Sequence, residues 1–178
     1  YAFMVPHDIN GLKKLMGGNK AFTNQLQKVF DTNQFDMANE PDIAYPYLFN
    51  YVKGEEWRSQ KLVNKLIRTY FQNKPDGLPG NDDTGTMSAW LVYSMMGIYP
   101  ISPGSPNYAI TTPMFDKITI QLDSKYYKKK ELVIMREGKN KGKINKILLD
   151  KNKHKSYFIS HDKLVNGNNL RVILSNHF

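Results

Sequence analysis

Apolar residues recur with helical spacing as far as Pro103-Gly104 and with strand spacing beyond it, and this change of period limits the fold more than any other feature. Upstream, Asp8 or His7 opens a run with Ile9, Leu12, Leu15 and Met16 on one face, stopped by Gly17-Gly18. Asn19 is placed to cap a second helix with a stripe of Phe22, Leu26, Val29 and Phe30. Pro46 suits the first turn of a short helix through Tyr47, Leu48 and Tyr51. Residues 55–71 predict a longer helix with Trp57, Leu62, Leu66, Ile67 and Tyr70 inward. Residues 87–96 (MSAWLVYSMM) carry no charge and end at Gly97, with Pro100 beyond, which predicts a buried helix. Downstream, residues 108–111, 117–122, 131–135, 144–149, 156–160 and 170–174 are short, β-branched or alternating runs divided by turn residues. The expected class is therefore α+β, with helices in residues 1–104 and an antiparallel β-rich region in 105–178 packed on them. No fixed-period repeat is visible, but helices of this length with short connections are compatible with part of a helical hairpin toroid.

With 178 residues, 40% of them hydrophobic, the chain is long enough to bury a core. No stretch reaches the roughly 18 to 20 apolar residues of a membrane span. Cysteine is absent, which excludes disulfides and thiolate zinc sites. The net charge of +9 is confined to residues 125–155, where twelve Lys and Arg face three acids; the rest of the chain is neutral. Its lysines cluster in turns such as residues 137–143 (EGKNKGK). Solvated hairpin edges blunted by lysine account for this as well as phosphate binding does. The chain begins with Tyr-Ala-Phe-Met-Val-Pro, an apolar lead-in without a cap, which reads as the middle of a larger domain.

Two polar clusters carry the candidate chemistry. In Gly80-Asn81-Asp82-Asp83-Thr84-Gly85, adjacent carboxylates sit between glycines just before the uncharged helix, where free N–H groups and the helix dipole favour anions. Either carboxylate is a candidate base, and either one, or Thr84 or Thr86, could equally cap the helix. In residues 36–42 (DMANEPD), three acids and an Asn suit a hard cation such as calcium, or form a loop of Asx turns. An EF-hand register starting at Asp31 fails, because Asp36 stands where glycine is needed. His7 beside Asp8 reads as a substrate contact or a helix cap. Ser88 lacks the context of a serine nucleophile, and no phosphate-binding glycine loop occurs.

Several pieces occur together in order: residues 4–18 (MVPHDINGLKKLMGG), 39–42 (NEPD) with 47–51 (YLFNY), 77–85 (GLPGNDDTG) with 87–90 (MSAW), and 97–100 (GIYP) with 103–106 (PGSP). Across about residues 1 to 123 they resemble the C-terminal part of the catalytic domain of glycoside hydrolase family 92, the calcium-dependent exo-α-mannosidases. The resemblance implies an (α/α)6 toroid preceded by an N-terminal β-sandwich, and an inverting hydrolysis of terminal mannose, with α-1,2-type linkages the expected target. It maps the family's general base onto Asp83, with Asp82 beside it, and makes Glu40 and Asn39 expected Ca2+ ligands. His7, Asp8 and Asn39 are the expected substrate contacts. Many relatives carry an acid where Asn81 stands here, and the family's general acid, a glutamate, falls upstream of the position matching Tyr1. The resemblance further implies an exported protein, extracellular, at the cell surface or periplasmic, acting on mannose-containing glycans together with the sandwich and remaining helices, with no nucleic acid and no membrane span. Two rival readings are a non-catalytic, calcium-dependent mannan-binding module and a nucleic-acid-binding protein using the basic segment.

Overall fold

The computed structural model describes residues 1–138 and 142–175; Lys139, Asn140 and Lys141, from the lysine-rich sequence 137–143, lie outside the described residues. Helix α1 (Ile9–Leu15) begins where the Asp8 carboxylate accepts the Gly11 N–H at 2.8 Å. Helix α2 (Asn19–Asp31) begins one residue earlier than a capping Asn19 requires. Asn19 is its first helical residue, and Gly18, at φ +91°, precedes it without a side-chain cap. Tyr45–Tyr51 winds as a 3₁₀ helix rather than an α-helix, and Glu40–Asp42 forms a 3₁₀ turn before it. In α3 (Glu56–Tyr70) the buried face is Ser59, Gln60, Val63, Leu66 and Ile67; Trp57 and Leu62 are half-buried and Tyr70 is exposed, contrary to the expected stripe. The face turns because α3 packs over the 3₁₀ helix and meets the sheet layer through the polar side chain of Gln60.

Helix α4 (Thr86–Met96) ends at Gly97 in the left-handed region, as the sequence predicts. Only Met87, Trp90 and Ser94 are buried, and Val92 is 55% exposed, so the uncharged helix is covered on one face rather than all round. Gly97 is fixed by contact as well as by φ, since a Cβ there would lie 2.7 Å from the Pro113 nitrogen.

Among the described residues, eight strands follow in two sheets. β1 (Ile98–Tyr99), β2 (Asn107–Ile110) and β7 (Phe158–Ser160) form one, antiparallel throughout. The other runs β3 (Lys117–Gln121), β4 (Glu131–Glu137), β8 (Asn169–Leu174), β5 (Ile144–Leu149), β6 (Asn152–His154). This second sheet is mixed rather than wholly antiparallel, because β4 and β8 pair in parallel with Ile134 opposite Leu170. A short helix α5 (His161–Asn166) supplies part of the crossover between them, capped by Ser160. Short β1, the polar edge strand β6 and α5 are additions to the elements expected from the sequence.

The helices enclose one core around Phe22, Leu26, Tyr47, Phe49 and Trp90. The sheets enclose another around Ile110, Ile134, Ile159 and Leu170. Two buried amides join them: Asn50 donates to the Ile110 and Tyr157 carbonyls, and Gln60 accepts the Ile144 N–H at 2.8 Å. No helix of the described residues is long and apolar enough to cross a membrane.

Candidate functional site

The loop entering α4 is wound onto the helix's first turn. Asp82 accepts the Ser88 N–H on its carboxylate at 2.8 Å and the Met87 N–H on its carbonyl at 3.1 Å, so two of the helix's orphan donors are satisfied. The Asp83 carbonyl takes the Thr86 N–H and hydroxyl. Capping therefore falls to Asp82. The Asp83 side chain is exposed, and its carboxylate makes no hydrogen bond or ion pair among the described residues. Asp83, Thr84 and Gly85 have φ of 49°, 59° and 91°, three consecutive left-handed residues. For a β-branched threonine this is an outlier, and it costs on the order of 1 kcal/mol or more. The loop holds that conformation because the Asp82 and Asp83 carbonyls are anchored to α4, which leaves the Asp83 side chain exposed.

The second loop closes on itself. Asp42, 6% exposed, accepts the Asp36 N–H at 3.0 Å, and Asp36 accepts the Ala38 N–H at 2.9 Å. Two of the three acids are thus engaged in loop structure, while Glu40 is exposed and Asn39 half-buried. Asn39 lines a cleft of about 310 Å³ with Asp36, Asp42, Tyr45 and the N-terminal residues Tyr1 and Phe3. Burial first, and the neighbouring Asp42 charge second, push the Tyr45 phenol up to about 12.

The two loops meet. Gly80 sits so close to Ala38 that a Cβ on Gly80 would lie 2.8 Å from the Ala38 Cβ. Beneath them Trp90, 1% exposed, donates its indole N–H to the Ile43 carbonyl at 2.8 Å and stacks on Phe71 with ring centroids 5.5 Å apart. One tryptophan of α4 therefore fixes the base of both loops, which places Asp82, Asp83, Asn39 and Glu40 on adjoining segments. His7 and Asp8 are not part of this group. They line a separate cleft with Gly11, Leu12 and Leu15, and the Asp8 carboxylate is engaged as the cap of α1. Asp42 and Tyr45 shape the site without having been singled out by sequence, and Gly80, noted only as a glycine flanking the carboxylates, acts through its close approach to Ala38. Asp42 counted only as one acid of a cluster, and nothing local marks Tyr45, whose ring packs on Phe3 from another part of the chain.

Calcium takes six to eight oxygens at about 2.3–2.6 Å. Among the described residues no three His, Asp or Glu converge on one point. Glu40 and Asn39 have side-chain oxygens outside the loop's own hydrogen bonds, whereas Asp36 and Asp42 are committed to it. The donor chemistry thus fits a contribution to a calcium site, not a complete one.

Residues 1–176 match the model of the glycosyl hydrolase family 92 catalytic domain. A protein of the fungus Arthroderma benhamiae named an uncharacterized secreted glycosidase is 36% identical over 119 residues, 67% of this chain and 15% of that protein. A family GH92 alpha-mannosidase of Bacteroides thetaiotaomicron superposes with a TM-score of 0.87 at 28% identity, over 98% of this chain and 24% of its own. An inverting mannosidase of the same family and organism gives 0.85 at 27% identity, over 99% and 27%. The chain therefore spans about a quarter or less of the length of these relatives.

Proposed function

Because the chain belongs to glycosyl hydrolase family 92, as a portion of its catalytic domain, we propose that it supplies the general base of an inverting α-mannosidase that releases terminal mannose from glycans. The observation that carries this reading is the Asp83 carboxylate: exposed, without a protein partner, and set on a strained backbone at the mouth of α4. Inversion needs a base on one side of the sugar and an acid on the other, roughly 6.5–9.5 Å apart so that a water fits between. Asp83 takes the proton from that water as its oxygen attacks the anomeric carbon, and the acid protonates the departing glycosidic oxygen. The acid comes from residues outside this chain, as do the remaining helices of an (α/α)6 toroid covering the apolar face of α4. Asp82 holds the loop, and Asn39 contacts the sugar. His7 and Asp8 lie on a different cleft and have a weaker claim on the substrate.

Glu40 and Asn39 are the residues that would hold calcium, whose chemistry here would be to draw together neighbouring sugar hydroxyls. An extracellular, cell-surface or periplasmic location and an α-1,2 preference belong to the same proposal; the secreted fungal relative supports export. The test is release of mannose from an α-linked mannobiose by the full-length protein, with and without a chelator. We expect release that stops on chelation and returns with Ca2+. Binding of mannan without release would favour the non-catalytic module, and full activity in chelator would remove calcium from the account.

A further inference from the structure

A second groove of about 250 Å³ lies between α2 and α3; its Phe30 packs on Phe35, just before the 36–42 loop, while its Trp57 lies at the opposite end of α3 from the Phe71–Trp90 stack beneath the Asp82–Asp83 loop. On α3, Trp57, Lys61 and Lys65 recur every fourth residue and share one face. Phe30 and Leu62 add apolar surface, and Gln27 and Asp31 form the polar wall from α2. That wall is fixed by a chain of hydrogen bonds. Gln27 donates to Asp31 at 2.9 Å and accepts from Arg58 at 2.8 Å, and Arg58 pairs with Glu55 at 2.5 Å. The Arg58 guanidinium lies 4.8 Å from the centre of the Trp57 ring, which holds the half-buried indole in place. The groove therefore offers an aromatic ring that does not need to be ordered on binding, beside an acceptor, Asp31, with one carboxylate oxygen outside the network.

We propose that this groove is a glycan-binding site that takes a hexopyranose unit of the substrate polymer at a distance from the scissile bond. A pyranose has an apolar C–H face that packs on an indole and a rim of hydroxyls that pairs with Asp31 and the two lysine ammonium groups. The volume falls just below the roughly 300 Å³ at which drug-sized pockets begin, which suits one or two sugar rings. Trp57 lies in the first turn of α3, whereas Phe71, which stacks on Trp90 beneath the catalytic loops, follows its last turn. The helix between them is about 21 Å long, so the groove serves a different part of the same glycan.

This inference rests on the reading of the protein as an α-mannosidase, and the experiment separates the two. Full-length wild type and Trp57→Ala are run in native gels containing α-mannan, and both are assayed on mannobiose, which is too short to reach the groove from the active site. Retardation of wild type by mannan, lost by about tenfold in apparent affinity in Trp57→Ala with mannobiose turnover unchanged, supports the site. Equal retardation of the two proteins, or turnover of mannobiose by a wild type that mannan does not retard, overturns it and leaves the mannosidase reading intact. A wild type that neither binds mannan nor cleaves mannobiose overturns both. Should Trp57→Ala fail to fold, Asp31→Ala carries the same expectation and the same refutation.

Discussion

Asp82 and Asp83 are chemically identical neighbours with different work. Asp82 satisfies a backbone donor of α4, so Asp82→Ala should lower the unfolding free energy by about 1 kcal/mol, read by urea titration, whereas Asp83→Asn should leave it nearly unchanged. The sequence placed both at a helix start, and there a capping carboxylate could not be told from a free one; the wound backbone, with Asp83 and Thr84 left-handed, leaves Asp82 bonded to α4 and the Asp83 carboxylate without a partner among the described residues. Tyr45 gives a second prediction. Its phenol stands at about 12 in the folded protein against 10.0 ordinarily. The folded state holds this proton more tightly than the unfolded chain, so the stabilisation is complete below pH 10 and is lost as the pH rises through 12. Over that window wild type should lose stability more steeply than Tyr45→Phe; equal slopes would contradict the assignment.

At the scale of elements, the helices were legible because each carries a periodic stripe and a stop, and α1 and α4 fall within a residue or two of expectation. Six strands were legible from alternation. β1 has two residues, too few to show a period, and β6 is Asn-Lys-His, held at the sheet edge by pairing Ile147 with His154 rather than by its own composition. The parallel pairing of β4 with β8 was not legible either, since strand order depends on which strands are inserted between them. Tyr70 was misread because the stripe of α3 was drawn through its large side chains, while Ser59 and Gln60 occupy the buried face. The meeting of the two loops was invisible for a related reason: Gly80 and Ala38 come together only through tertiary packing. Gly80→Ala should push the loops apart and reduce kcat/KM of the full enzyme by roughly 10- to 100-fold. Adding Ala38→Gly should restore much of it, and failure of that rescue would remove the contact from the account.

For the whole molecule, among the described residues of the basic segment, Lys146, Lys153 and Lys155 are exposed along the β5–β6 edge, the arrangement expected of strands protected against edge-to-edge pairing. The structure therefore gives nucleic-acid binding no added support. The uncharged, half-exposed α4 carries the opposite message: its sequence is that of a buried helix, and relatives that include this fold are about four times longer. The family was legible because its motif-bearing loops are local in sequence, whereas the proposed calcium site and general acid would need residues that these loops do not supply. The decisive measurement is kcat of the full-length enzyme on α-linked mannobiose for wild type, Asp83→Asn and Asp82→Asn. The account predicts turnover abolished in Asp83→Asn with folding intact and only reduced in Asp82→Asn; wild-type kcat in Asp83→Asn would contradict it.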